Sequence, residues 1–112
     1  MENGWVAFYC LVLGAIFIGV GYPLWKRKVA PNELYGFRFK RTLESEEVWY
    51  DVNEHGGRNF FFYGTATFLA GIVVLFFPPL SEVSILIWLH VPIFLILFAC
   101  LHTYVCMKKE YE

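Results

Sequence analysis

Apolar and polar positions in this chain are sorted into long blocks, without the alternation of a strand or the stripe of a soluble amphipathic helix. Three blocks carry no acidic or basic charge: Gly4 to Trp25 (22 residues), Asn59 to Phe77 (19) and Val83 to Met107 (25). A helix rises about 1.5 Å per residue, so about 20 residues cross a hydrocarbon core of roughly 30 Å. Each block is therefore predicted to be a transmembrane helix, with spans at about 4–25, 59–77 and 83–107. What remains between the first two is one extended polar segment, residues 26–58.

Within that segment the stretch Ala30 to Arg38 holds Pro31 and Gly36 where a chain turns rather than continues a helix. Residues Thr42 to Gly57 then read as a short helix. Ser45 or Thr42 is placed to cap its start, Glu46 and Glu47 suit its first turn, and Gly56 is placed to end it. A helix this short is marginal alone in water, so it is expected to lie on the inner membrane surface with its aromatic groups among the headgroups. The expected fold class is thus an all-α integral membrane protein, one domain over residues 1–112. It has three transmembrane helices and a short cytoplasmic interfacial helix between the first and second.

Small residues suggest how the spans pack. Lipid supplies no hydrophobic drive between helices, so close approach depends on small side chains and hydrogen bonds. Ala7, Gly14 and Gly21 recur every seven residues in the first span, and Gly64 and Gly71 repeat that interval in the second. The period places each set on one stripe and predicts backbones in close contact, in an antiparallel three-helix bundle or in a homo-oligomer. Pro31 opens the polar segment, Pro78-Pro79 forces a tight turn, and Pro92 should kink the third span near Trp88 and His90.

Charge then orients the spans. The net charge of -1 matters less than its arrangement: seven of the nine lysines and arginines lie in residues 26–58, and Lys108 and Lys109 follow the third span. Cytoplasmic segments retain Lys and Arg, so the amino terminus is expected outside and the carboxyl terminus in the cytoplasm, in a multi-pass protein of the cell membrane. Positive charge follows the first apolar run as Lys26-Arg27-Lys28 rather than preceding it, which reads as a retained anchor and not a cleaved signal peptide. Cys10, Cys100 and Cys106 are odd in number, lie in or at the ends of spans, and lack metal-ligand spacing in sequence; they read as buried apolar thiols.

Candidate chemistry is sparse. His90 and His102 are the imidazoles inside the proposed spans, and intramembrane ionisable groups are functional candidates. Twelve residues, about 18 Å of helix, separate them, too far for a shared metal ion. His90 beside Pro92 raises one alternative function, a subunit of a small oligomeric transporter or channel. No nucleophile–base pair, phosphate-cradling glycine loop or metal-ligand cluster stands out, so neither an enzyme nor a cofactor or metal is expected. The polar segment, with seven basic and six acidic residues, is nearly balanced, which suits membrane lipid and protein contacts and not nucleic acid.

The ordered run Pro31-Asn32-x-x-Tyr35-Gly36-Phe37-Arg38, Thr42-Leu43-x-Ser45-x-Glu47-x-Trp49, Asn53 and Gly57-Arg58 resembles the signature of the SdpI family, whose namesake is a membrane immunity protein against a bacterial sporulation-delaying toxin. Phe39-Lys40-Arg41 departs from the small or proline-containing link of many relatives. The chain looks like the carboxyl-terminal module of the larger namesake. The resemblance implies binding of a membrane-active peptide toxin and a signalling role through a cytosolic regulator protein. Asn32, Gly36, Arg38, Thr42, Ser45, Trp49, Asn53 and Arg58 then either bind that partner or lock the loop. Arg38 has Glu44, Glu47, Asp51 and lipid phosphate as candidate partners.

Overall fold

The computed structural model describes residues 2–111, and helices account for most of them. In chain order they are α1 (Glu2–Trp25), α2 (Lys40–Glu44), α3 (Glu46–Val74) and α4 (Glu82–Tyr111). There is no strand among the described residues. Two helices, from Asn3 to Trp25 and from Glu82 to Tyr111, are long and apolar enough to cross a membrane. Their outward faces carry large apolar side chains, among them Phe8 and Ile16 on α1 and Phe94, Leu97 and Leu101 on α4, each at least half exposed. Such a surface is unfavourable in water and natural against lipid.

The sevenfold small-residue repeat sets the packing. A Cβ built on Gly14 would stand 2.6 Å from the Gly64 carbonyl oxygen, one on Gly21 would stand 2.5 Å from that of Gly57, and one on Gly71 would meet the Ala7 carbonyl oxygen at 3.1 Å. Each step of seven forward along α1 is a step of seven back along α3, so the two helices run antiparallel with their backbones touching. Gly57 extends the Gly64–Gly71 series by one more interval. It belongs to the same seam.

That seam overturns one expectation. The helix predicted for Thr42 to Gly57 neither forms as one piece nor stops at Gly56. It divides at Ser45, whose extended backbone (φ -148°, ψ 130°) separates α2 from α3. From Glu46 the helix then continues unbroken into the apolar run, to Val74. Gly56 and Gly57 serve contact instead of termination: the Phe37 ring lies where a Cβ of Gly56 would be, and Gly57 sits against Trp25 and Gly21. A separate helix lying flat on the membrane surface is therefore not present; its residues prolong α3.

α4 packs less intimately, with Pro92, Ala99, Thr103 and Met107 as its buried residues, and its helical hydrogen bonding continues past Pro92. Tyr9 of α1 donates to the Leu89 carbonyl of α4 at 2.6 Å. Val6, Ala7, Cys10 and Val74 form one small core near the amino terminus. Val48, Val52 and Met107 form another at the opposite end. Between α3 and α4, Asn3 gathers the turn: its Nδ2 lies 3.0–3.2 Å from the carbonyls of Val74, Phe77 and Pro78, and its Oδ1 accepts from Leu80 N–H. The carbonyls of Phe77 and Pro78 lie beyond the end of α3 at Val74, where no following turn of that helix supplies an N–H, and the Asn3 amide serves them instead.

Candidate functional site

The polar segment folds back on the start of α3 and is held there by two asparagines. Asn32 uses its whole amide. Its Oδ1 accepts from the backbone N–H groups of Leu34 and Tyr35 at 2.8 and 2.7 Å, and its Nδ2 donates to the carbonyls of Ala30 and Tyr35. The result is a tight turn that a Pro31-Asn32 sequence favours. Asn53, 2% exposed, does the same at longer range. Its Oδ1 accepts from Phe37 N–H at 2.5 Å, while its Nδ2 lies 3.3 Å from the Phe37 carbonyl and 2.9 Å from that of Trp49. A backbone segment that is neither helix nor strand is thereby satisfied by one buried amide.

Trp49, wholly buried, donates its indole N–H to the Val29 carbonyl at 2.9 Å. Gly36 lies between these two side chains with φ +119°, and a Cβ there would stand 2.8 Å from Asn53 Oδ1 and 2.9 Å from the Trp49 ring. Both the backbone angle and the space require glycine. Thr42, 1% exposed, accepts from Phe39 N–H and lies within donor range of the Phe37 and Phe39 carbonyls. Ser45 is the N-cap of α3, its Oγ 3.4 Å from Val48 N–H, with Glu46 and Glu47 in the first turn. Of the two candidate caps the structure selects Ser45, with Thr42 holding the entrance to α2.

The structure brings Asn32, Gly36, Thr42, Ser45, Trp49 and Asn53 together as one interlocked unit, and it places Arg38 and Arg58 on its surface. Arg38 is exposed and donates to the Glu33 carbonyl; among the described residues it makes no ion pair with Glu44, Glu47 or Asp51. Asp51 is taken instead by Arg27, which also reaches Glu54 at 2.8 Å, and by the Tyr111 hydroxyl at 2.7 Å. Burial, and then the hydrogen bond to Asp51, push the Tyr111 hydroxyl above its usual range. Arg27 holds this place because it ends α1 in the left-handed region (φ 59°), where its N–H bonds the Leu24 carbonyl and that of Lys28 bonds the Pro23 carbonyl. That is the Schellman ending of a helix, with Arg in a position usually given to Gly. Tyr35 joins the same surface by donating to the Val20 carbonyl of α1.

His90 stands apart. Its Nδ1 lies 2.8 Å from the Leu86 carbonyl, one turn back on its own helix, and its side chain faces outward. It does not line the apolar cavity of about 290 Å³ that opens between α1, α3 and α4, bounded by Cys10, Thr67, Ala70, Trp88, Val91 and Pro92. His102, by contrast, meets His55 of α3 at 3.3 Å and Cys106 at 3.7 Å. Burial, then Arg58 and His102, lower the pKa of His55. The sequence signal for this cluster was only the spacing of His102 and Cys106, four apart on one helix face. Their third member lies 47 residues upstream, beyond any local motif. Arg27 and Asn3 were likewise invisible, since Arg27 reaches the carboxylates of Asp51 and Glu54 and Asn3 reaches the backbone around Val74 to Leu80, all far away in sequence.

No curated protein and no solved structure matches this chain. A protein-family model does, over residues 28–105, a stretch that begins with the locked loop and takes in α2, α3 and most of α4. The loop signature and the helices behind it are thus matched together, and the chain belongs to the SdpI/YfhL protein family.

Proposed function

We propose that this is a multi-pass membrane protein of the immunity or receptor type, engaging a membrane-active peptide toxin in its bundle and a cytosolic partner through its inner loop. Membership of the SdpI/YfhL family favours the immunity class. On this reading the chain crosses the membrane three times, amino terminus outside. Support for the third crossing comes from α3 itself: its apolar part from Asn59 to Val74 is uncharged and lies backbone to backbone against α1. A helix in such contact with a span occupies the same depth.

The observation that carries the reading is the division of labour in the loop. Trp49, Asn53 and Thr42 are buried and fully engaged, whereas Leu34 is 94% exposed and Arg38 is exposed beside it. A rigid support that presents one apolar and one cationic side chain is a docking surface rather than a catalytic one. At the other end, the cavity against Trp88 and Pro92 is almost wholly apolar in its lining residues, which suits a hydrophobic peptide side chain.

The test is survival of bacteria challenged with membrane-active peptide toxins. Cells would produce the intact chain, an Arg38→Ala/Leu34→Ser variant at the same level, or no chain. Protection by the intact chain, lost in the variant, is the expected result. Equal sensitivity of all three across the toxin panel would overturn the reading.

A further inference from the structure

Two helices bring three metal-ligating side chains to one point at the end of the bundle that carries the locked loop. His55 comes from α3; His102 and Cys106 come from successive turns of α4. Each offers a ligand atom, and these atoms all lie within 4.8 Å of one another. His55 Nε2 is 3.3 Å from His102 Nδ1, while Cys106 Sγ is 4.0 Å from that Nδ1 and 3.7 Å from His102 Nε2. The two imidazoles are stacked at 5.2 Å with 24° between their planes.

These separations fit a tetrahedral ion better than a hydrogen-bond chain. With metal–nitrogen bonds of about 2.0–2.1 Å and metal–sulfur bonds of about 2.3 Å, neighbouring ligand nitrogens stand about 3.3 Å apart, and nitrogen and sulfur about 3.6 Å. The nitrogen pair already has that spacing, which is long for a nitrogen–nitrogen hydrogen bond. The sulfur, 4.0 Å from His102 Nδ1 and within 4.8 Å of the His55 ligand atom, has to close in on both nitrogens, by rotation of its own side chain.

We propose that His55, His102 and Cys106 form a binding site for a divalent transition metal of zinc's class, linking α4 to α3. Two imidazoles and a thiolate are the donor set such an ion prefers over magnesium or calcium. The fourth position falls to Glu110 or to water. Glu110 lies one turn beyond Cys106 and lines the same cleft of about 60 Å³, together with Asp51, Thr103 and Tyr111. On binding, the Cys106 S–H bond breaks, its proton goes to solvent, and a metal–thiolate bond forms, with no change of oxidation state.

Two neighbours must yield. Arg58 lies 3.4 Å from His55 Nδ1 and Asn59 lies 3.4 Å from His55 Nε2. Metal at Nε2 puts the imidazole proton on Nδ1, so Arg58, which is exposed, turns outward and Asn59 rotates away. The site is half-open at the surface. It would fasten the long helix that buries fewest residues to the one that carries the loop, and it does not depend on the immunity reading.

The test uses the full chain in detergent, purification tag removed and metal stripped by chelator, titrated with Co²⁺ as a spectroscopic substitute for Zn²⁺. One Co²⁺ per chain is expected, with a thiolate-to-cobalt band in the near ultraviolet, intense tetrahedral bands in the visible, and loss of both on adding Zn²⁺. Cys106→Ser should abolish the near-ultraviolet band. His55→Asn and His102→Asn should each weaken binding at least tenfold, while Cys100→Ser and His90→Asn leave it unchanged. Circular dichroism of each variant shows that its helices persist. Absence of the thiolate band in the intact chain at tenfold excess Co²⁺, or its survival in Cys106→Ser, would overturn the proposal.

Discussion

Asn53 concentrates the loop's stability in one side chain. It bonds the N–H and lies within reach of the carbonyl of Phe37, and it also donates to the carbonyl of Trp49, all out of water. Asn53→Ala should therefore cost about 1–3 kcal/mol for each backbone group left bare, read as a fall in the unfolding midpoint in detergent micelles. Asn53→Asp should not restore it, because a carboxylate accepts from Phe37 N–H but cannot donate to the carbonyls and places a charge where there is little solvent. Asn53 and Trp49 could be picked from the sequence as members of the signature, yet not sorted into lock or docking surface. That distinction depends on what fills the space behind Gly36, which no residue type reveals. Arg38 shows the same gap from the other side. Three nearby acids suggested an ion pair, but Arg27, brought back by the left-handed end of α1, takes Asp51 first.

Helix α3 shows where sequence reasoning succeeded and where it stopped. The seven-residue interval of Ala7, Gly14 and Gly21 against Gly64 and Gly71 was legible because a helical stripe is a local property. Gly57 continues that series but sits next to Gly56 after a polar helix, where a glycine pair ordinarily ends one. Its use depends on α1, more than thirty residues away in sequence, so the local signal pointed the wrong way. The two kinds of glycine separate by experiment. Gly57→Ala would put a Cβ 2.5 Å from the Trp25 nitrogen and should destabilise by about 1–3 kcal/mol through overpacking. Gly19, in α1 with open space around its Cβ position, should gain about 0.5–1 kcal/mol on Gly19→Ala. Thermal unfolding of both variants in the same micelles gives the signs directly; equal effects would remove the seam from the account.

At the scale of the whole molecule the charge pattern and the shape agree. The bundle measures 50 Å along its longest axis, more than a hydrocarbon core of roughly 30 Å, and its locked loop lies at the end where the basic residues collect. Three crossings with the loop inside predict a specific labelling pattern. In a background with the native cysteines replaced, Ser81→Cys should react with an impermeant maleimide added to intact cells, and Glu33→Cys only after the cells are opened. The reverse pattern would invert the orientation, and labelling of both positions in intact cells would remove the second crossing.

The unbroken course of α3 has a mechanical consequence. One end of it, at Thr67 and Ala70, walls the apolar cavity; the other, at Trp49 and Asn53, is the foundation of the loop. No joint lies between. Eighteen residues of helix form a stiff arm of about 27 Å, so a tilt of about 5° produced by filling the cavity would swing the far end by about 2 Å. That displacement exceeds the tolerance of the bonds Asn53 makes with Phe37. A ligand lodged among apolar side chains near one face would thus be felt at the other as leverage.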